Sequence, residues 1–293
     1  PAFKNSFFAA LFNGGKVVRV ELERKGSTFQ AVQREFVSGL RPDIHITDVL
    51  EDADGSILVV DTGGWFYRGC PTSQFSKPDI KGAIYRVRRT GTKPVTDPWG
   101  KQIAWDKLTH ADIINRLRDP RFKVRERAIA ECVHRGNTII PSLKQVLHSP
   151  HLQQSRNAIW ALTRILGTRK SPQAQAVIRT ALEHDAASIR LTACRSIATY
   201  PDPAALPTLL EIIKQDDAPV RREAAKAIGR IGNDEAVPAL LTALSKNIDR
   251  SEEHALIYAL IEIDAPDTTG KLLALRDFSA SPAQSSQASQ RIR

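Results

Sequence analysis

Carboxylates around one hairpin near the start of the chain are the residues best suited to chemistry. Asp52 and Asp54 lie just before Gly55, and Ca²⁺ prefers the carboxylate and carbonyl oxygens that such a turn offers. The full spacing of an EF-hand-like loop is missing, so a plain Asp-Gly turn is the preferred interpretation. Asp61 stands at the end of a predicted strand, where we expect it as a candidate cofactor-, substrate- or metal-binding residue.

The other reactive residue types show no catalytic or metal-binding spacing. The seven His residues include no HxxxH pair, and the three Cys residues form no CxxC or CxxCH motif. No Gly-rich phosphate loop and no GxSxG motif occur. Cys132 and Cys194 occupy apolar positions of a repeat, which predicts buried thiols, whereas Cys70 lies in a loop and could be free or paired. We therefore expect no metal site and no complete active site.

A segment written five times between residues 119 and 264 is the strongest pattern in the chain. The copies align on Ala128, Ala158, Ala193, Ala224 and Ala255, at steps of 30, 35, 31 and 31 residues. A fixed period in this range indicates a stack of supersecondary units, each burying its apolar face against its neighbours. The spacing predicts an α-solenoid of about five helical pairs.

The region before the repeats shows the alternation typical of β-strands. In residues 16–23, Val18, Val20 and Leu22 alternate with charged residues, which predicts a half-buried strand. Short antiparallel strands at this spacing indicate a sandwich or the blades of a propeller. In a propeller, the strand end that carries Asp61 would point towards the central channel. The predicted strands are 6–12, 16–23, 28–37, 46–52, 56–62 and 82–89.

Composition divides the chain into parts. A Pro- and Gly-containing stretch separates the strands from the repeats, and the last residues are rich in Ser and Gln. The chain begins with Pro1 and contains no Met, from which we infer an internal part of a longer protein. No run of about 18 apolar residues is present, so no membrane span is predicted. The expected parts are a β domain at 1–90, a linker at 91–106, the solenoid at 107–277 and a disordered tail at 278–293.

The net charge of +10 is distributed unevenly. Residues 91–200 hold 18 Lys and Arg against 8 Asp and Glu, whereas residues 201–293 hold 11 against 14. A basic middle region suits nucleic acid, anionic lipid or an acidic protein, and it also suits a solvated helical face.

The second helix of each pair carries the candidate partner-binding residues. Positions two and six after the aligned alanine share one helix face. The second helices are expected to line the concave face of the solenoid. Arg and Trp are frequent interface anchors, so one interpretation is that a protein partner binds this face. The other interpretation is that the face is simply solvated. Nucleic-acid binding is expected to be weak, because Trp160 alone offers stacking. The predicted basic stripe consists of His134, Trp160, Arg164, Arg195, Lys226 and Arg230.

The repeat resembles HEAT repeats, closest to the short bacterial type that is similar to phycobilisome-lyase-like repeats. The pattern is an Asp in the turn followed by Val-Arg-x-x-Ala, as in Val220-Arg221 before Ala224. The resemblance implies that Arg125, Arg190 and Arg221 are structural, each bonding the turn Asp of a neighbouring unit.

Residues 47–89 resemble the closing blades of the propeller in large secreted planctomycete and verrucomicrobial proteins described as membrane-bound dehydrogenases. Those proteins are similar in fold to glucose/sorbosone dehydrogenases, and their propeller precedes HEAT repeats. The resemblance implies a mixed fold, with a partial β-propeller of about one and a half blades followed by the α-solenoid.

The same resemblance implies a function. The parent protein would be a periplasmic or secreted oxidoreductase similar to sugar or alcohol dehydrogenases, with quinone or haem as a cofactor of the full-length protein. The solenoid would then be an interaction or spacer module without catalytic activity of its own. The alternative is a HEAT-type binding protein whose basic concave face holds nucleic acid or an acidic protein.

Overall fold

The computed structural model describes residues 6–39, 44–64 and 79–279. Contacts between Cα atoms divide the chain into two compact units. We call Pro1–Lys25 with Phe29–Ile103 the β unit, and Gly26–Thr28 with Ala104–Arg293 the helical unit. Cys70 and most of the predicted loop 63–79 lie outside the described residues, as does all but the start of the predicted tail.

All six predicted strands are present in the described part of the chain. They are β1 Ser6–Leu11, β2 Lys16–Lys25, β3 Thr28–Val37, β4 Ile46–Glu51, β5 Ile57–Asp61 and β6 Ala83–Val87. They form two three-stranded sheets in chain order, β1-β2-β3 and β4-β5-β6. β1 pairs with β2, and β5 pairs with both β4 and β6, always antiparallel. The short β1–β2 and β4–β5 connections are typical of antiparallel neighbours.

The core of the β unit contains residues from both sheets. Val17, Ile46, Ile57 and Val59 are buried together. Side chains alternate between the faces of a strand, so Val17 lies on the face opposite to Val18. Leu22, predicted to share a half-buried face with Val18, is exposed. That prediction is wrong at the far end of β2, because the buried contacts concentrate at its first residues.

Within its described residues, the helical unit alternates the two predicted helix types, which confirms the solenoid. Most of the first helices carry a proline in their first turn, where a missing N–H breaks no helical bond. None of the described helices combines the length and the hydropathy that crossing a membrane requires. The helices are α1 His110–Arg116, α2 Phe122–Arg135, α3 Ile140–Gln145, α4 Leu152–Arg169, α5 Pro172–Thr180, α6 Ala187–Thr199, α7 Leu206–Gln215, α8 Ala218–Ile231, α9 Val237–Leu244, α10 Arg250–Ile263 and α11 Pro266–Ser279.

The second helices α2, α4, α6, α8 and α10 pack one against the next. Small residues at the contacts let the helix backbones approach closely. A Cβ atom added at Gly229 of α8 would lie only 2.8 Å from the Cα atom of Ala259 in α10. The aligned residues Ala128, Ala158, Ala193, Ala224 and Ala255 are all buried, which confirms the repeat register.

Helix capping varies from one turn to the next. Ser171 and Asp249 accept hydrogen bonds from backbone N–H groups at the starts of α5 and α10. Asp217 stands at the N-cap of α8, but its side chain makes no capping bond. Asp119 precedes the N-cap of α2 and pairs with Arg121 instead, Oδ1 to Nε at 2.9 Å.

Candidate functional site

Arg190 joins one repeat to the next. Its Nη1 donates to the backbone carbonyls of His184 and Asp185, each at 2.7 Å. Its Nε and Nη2 donate to the two carboxylate oxygens of Asp216, each at 2.6 Å, in the turn of the following repeat. This two-pronged geometry is the strong form of an Arg–carboxylate pair. The expectation that Arg190 bonds the turn Asp of a neighbouring unit is confirmed.

Arg221 and Arg125 occupy the same repeat position with other partners. Arg221 donates to the carbonyl of Asp216 at 2.6 Å and to both carboxylate oxygens of Glu252, at 2.5 and 2.8 Å. The predicted partner of Arg221 was the Asp in the turn of a neighbouring unit. Its carboxylate partner is instead Glu252, in the first turn of α10, so that prediction is wrong here. Arg125 donates to two backbone carbonyls of its own turn, at 2.7 and 3.0 Å.

The second repeat lacks the Val-Arg pair and uses amide side chains. Gln154 donates to the carbonyl of Ile114 at 2.9 Å, and Asn157 donates to the carbonyl of Leu117 at 2.7 Å. Carbonyls in the last turn of a helix lack their regular helical partners, so these bonds help to satisfy the end of α1. Neither side chain was predicted to have this role. Each second helix from α4 onward is thus fixed by polar bonds to a neighbouring repeat.

We call the residues two and six positions after the aligned alanine the second-helix face. Position six holds His134, Arg164, Thr199, Arg230 and Ile261, which are all exposed. Position two holds Ala130, Trp160, Arg195, Lys226 and Ile257, of which Trp160 and Ile257 are half-buried. The six residues of the predicted stripe therefore lie on the solvent side of the second helices. Their role in binding stays a prediction.

The structure brings two stripe residues together around a buried acid. Glu223 is only 3% exposed, and its Oε1 accepts from Arg222 at 2.9 Å, from Lys226 at 3.3 Å and from Arg195 at 3.4 Å. We call these four residues the Glu223 cluster. Burial alone would raise the pKa of Glu223, but the three surrounding cations hold it below its usual value. Glu223 and Arg222 were not among the predicted residues.

The stripe changes character from α4 to α10. Trp160 and Arg164 lie one helical turn apart on α4, and Arg164 has no ion-pair partner among the described residues. Arg230 contacts Glu262 at 3.2 Å and is itself 58% exposed. The two face positions of α10 are instead apolar, with Ile257 half-buried and Ile261 at 65% exposure, and Tyr258 beside them is 47% exposed. The second-helix face is therefore basic over α4, α6 and α8 and apolar at α10.

Asp61 lies in the β unit, where its carboxylate binds backbone N–H groups. It is buried, and its Oδ1 accepts from Gly63 N at 2.8 Å and from His45 N at 3.1 Å. Gly63 adopts a left-handed φ of +66°, and a Cβ atom there would lie 2.3 Å from the carbonyl oxygen of Ile80, so this position requires glycine. This geometry gives Asp61 a structural role at the turn. Its predicted role in cofactor binding stays untested.

The carboxylates around Gly55 form a salt-bridged turn. Asp54 accepts from Ser56 through both Oγ and N, at 2.5 and 2.9 Å, and these bonds lower its pKa. Arg86 contacts Asp52 at 2.6 Å, and Arg88 contacts Asp54 at 3.1 Å. No group of three or more His, Cys, Asp and Glu side chains in the described residues is arranged to hold a metal ion. The hydrogen bonds from Ser56 and the salt bridges to Arg86 and Arg88 fit the plain-turn interpretation of this hairpin.

The two described cysteines are buried and free. Burial raises the pKa of the Cys132 thiol to about 12, and it also raises the pKa of Cys194. A thiol protonated at neutral pH is a poor nucleophile and a poor metal ligand. The prediction of buried thiols is confirmed for this pair.

Comparison with known proteins bears on the helical unit. The family model for HEAT repeats matches residues 175–261 and, in a second overlapping match, residues 209–282. This stretch of the helical unit is similar to HEAT repeats. The two matches together span most of α5 and all of α6 to α11, and they agree with the stacked helix pairs seen there. None of the curated proteins matches the sequence.

Several solved structures are similar to the chain at low identity. The CpcE–CpcF complex of phycocyanin lyase from a Nostoc species is 18% identical, over 62% of this chain and 75% of that one, with a TM-score of 0.43. Human deoxyhypusine hydroxylase is 19% identical over 53% and 62%, with a TM-score of 0.37. A designed armadillo repeat protein in complex with a (KR)4 peptide is 14% identical over 64% and 100%, with a TM-score of 0.39. Scores this low carry no information about function.

Proposed function

We propose that the helical unit is a protein-interaction module that binds its partner through the second-helix face. The Glu223 cluster carries this proposal, because it holds several cations in fixed positions at the solvent boundary. Trp160 and Arg164 lie on the adjacent second helix, and both residue types are frequent interface anchors. A face that is already ordered loses little conformational entropy when a partner binds.

The interaction module accompanies a β unit that belongs, in this proposal, to a partial propeller of a secreted or periplasmic dehydrogenase-like protein. Apolar side chains on the outer faces of both sheets support the idea. Phe7 of β1 is 60% exposed and Ile84 of β6 is 70% exposed, because both lie on sheet faces opposite to the buried core. Propeller blades pack on both faces against neighbouring blades, and such side chains suit that environment.

Nucleic acid is a second candidate partner, favoured by the excess of Lys and Arg in residues 91–200. Two features oppose it. Acidic residues outnumber basic ones in residues 201–293, 14 against 11, so a continuous basic track long enough for a phosphate backbone would end there. Trp160 is the only aromatic residue at the face positions, which gives little stacking for single strands. We therefore expect weak nucleic-acid binding at physiological salt.

Peptide display tests the proposed interaction. Random peptides displayed on phage are selected on the full chain, and their affinities are then measured by fluorescence anisotropy. The face variant carries Arg164→Gln and Arg195→Gln. The control variant carries Lys144→Gln and Lys271→Gln, which remove the same charge from exposed positions of the first helices. Selected peptides should bind the face variant about tenfold more weakly and the control unchanged.

Two results would count against the proposal. Peptides that bind both variants equally would place the binding site elsewhere. Submicromolar binding of DNA or RNA at about 150 mM salt, lost in Arg164→Glu with Arg195→Glu, would favour the second candidate, because phosphate contacts weaken steeply with salt.

A further inference from the structure

We infer that the second-helix face binds an extended acidic segment whose carboxylates recur at every third residue. This inference rests on the proposed function and adds the chemistry and the spacing of the partner. It depends on the excess of positive charge around Glu223, on the cations of the flanking helices and on the spacing between packed helices.

The first argument is charge. Arg195, Arg222 and Lys226 share the single carboxylate of Glu223, so the cluster keeps an excess of positive charge. The contacts of Arg195 and Lys226 are 3.4 and 3.3 Å, beyond the usual range for an N–H···O bond, and each side chain is 45% exposed. Both nitrogens contact the same Oε1 and therefore lie near each other. Together they can bind one carboxylate of a ligand.

The second argument is the position of the flanking cations. Arg164 lies on α4, the second helix before the cluster, without an ion-pair partner in the described residues. Arg230 lies on α8, one helical turn after Lys226, and shares Glu262 while remaining largely exposed. Three consecutive second helices thus present cations to solvent. A ligand that crosses the helices meets positive charge at each of them.

The third argument is spacing. Packed helices lie about 8–10 Å apart. An extended or polyproline II segment rises about 3.1–3.4 Å per residue, so three residues advance about 9–10 Å. Acidic residues at positions i, i+3 and i+6 would therefore meet Arg164, then the pair Arg195 and Lys226, and then Arg230. Acidic residues placed side by side would crowd one helix and leave the next without a partner.

The end of the track adds a preference. Tyr258 and Ile261 are exposed on α10, immediately after the last basic helix. An apolar side chain three residues beyond the last acid would reach this patch by the same spacing. The partner segment therefore combines acids at every third position with an apolar residue at one end.

Synthetic peptides test both the charge and the spacing. The probe is fluorescein-labelled (Glu-Pro-Pro)4, whose prolines favour the extended form. The comparison peptide has the same composition, with its four Glu residues in one block. Binding to the full chain is measured by anisotropy at low salt. We expect the periodic peptide to bind at least about fivefold more tightly, and the face variant Arg164→Gln with Arg195→Gln to weaken it about tenfold, as two partly exposed charge pairs allow.

The outcomes separate this inference from the proposed function. Equal affinity for the two peptides overturns the spacing, and equal loss in the control variant Lys144→Gln with Lys271→Gln overturns the site. Display-selected peptides that need the second-helix face but carry no acidic residues overturn the inference and leave the proposed function intact. Selected peptides that ignore this face overturn both.

Discussion

Replacing Arg190 by Met is expected to lower the free energy of unfolding of the helical unit by about 3 kcal/mol. The substitution removes two bonds to Asp216 at 2.6 Å and two bonds to backbone carbonyls at 2.7 Å. The side chains of Arg190 and Asp216 are 19% and 9% exposed, so the remaining carboxylate is poorly hydrated. Breaking a buried pair from one side costs about 3–5 kcal/mol, and the residual exposure favours the lower end.

A double-mutant cycle separates the ion pair from the loss of packing. Asp216→Asn, alone and combined with Arg190→Met, should reveal a coupling of about 1–2 kcal/mol, since residues in direct contact are not additive. Lys214→Met serves as the control. Its pair with Glu211 is 54% and 61% exposed, and such pairs contribute less than about 1 kcal/mol.

Urea unfolding of the full chain, followed by far-ultraviolet circular dichroism, measures these differences. The slope of the transition must stay constant across the variants for the comparison to hold. If Arg190→Met is no more destabilising than Lys214→Met, the arginine does not hold the repeats together, and the argument for an ordered second-helix face fails.

Four further predictions concern packing, reactivity, pH and the β unit. Ala224→Arg should cost at least about 3 kcal/mol, because the site is fully buried, and an unchanged melting temperature would show a misassigned register. Cys132 and Cys194 should react with a thiol reagent only in denaturant, whereas rapid native labelling of either, located by peptide mapping, would contradict their burial. The pKa of Glu223 is lower in the folded protein than its usual value of 4.5, so the ionised carboxylate stabilises the fold at pH values above 4.5. This contribution is lost as the pH falls through the folded pKa. Glu223→Gln should therefore flatten the acid branch of stability against pH, and an identical slope in both proteins would contradict the cation cluster. Residues 1–92 alone should be insoluble or molten because of exposed apolar faces, and a sharp, dispersed amide spectrum would refute a partial propeller.

Much of the fold follows from local patterns. All six described strands were predicted, and period-two alternation indicated β2 in particular, since strand side chains point to opposite faces in turn. The repeat of about 31 residues predicted the stack of helix pairs, and the aligned alanines predicted where the helices approach closely. These features depend on short stretches of chain and on the recurrence of one unit, both of which a sequence displays directly.

Most features that depend on contacts between repeats were not predicted, and the Arg190–Asp216 pair is the exception that the family resemblance implied. Glu223 resembles an ordinary exposed helix residue in the sequence, but in the fold it is buried, and Arg195 of α6 joins Arg222 and Lys226 of its own helix around it. Gln154 looks equally ordinary, yet it satisfies the end of α1. Glu252 replaces the expected turn Asp because the first turn of α10 comes within reach of Arg221. The stripe of cations could thus be predicted, but its partial neutralisation could not.

Photo-cross-linking tests the central claim, that a partner binds the second-helix face, most directly. Benzoylphenylalanine is introduced in place of Trp160, of Arg164 or, as the control, of Lys144 on α3, and each protein is irradiated with a display-selected peptide. The account predicts cross-links from positions 160 and 164 and none above background from position 144. Efficient cross-linking from position 144 alone would show that the partner lies on the first helices and would contradict the account.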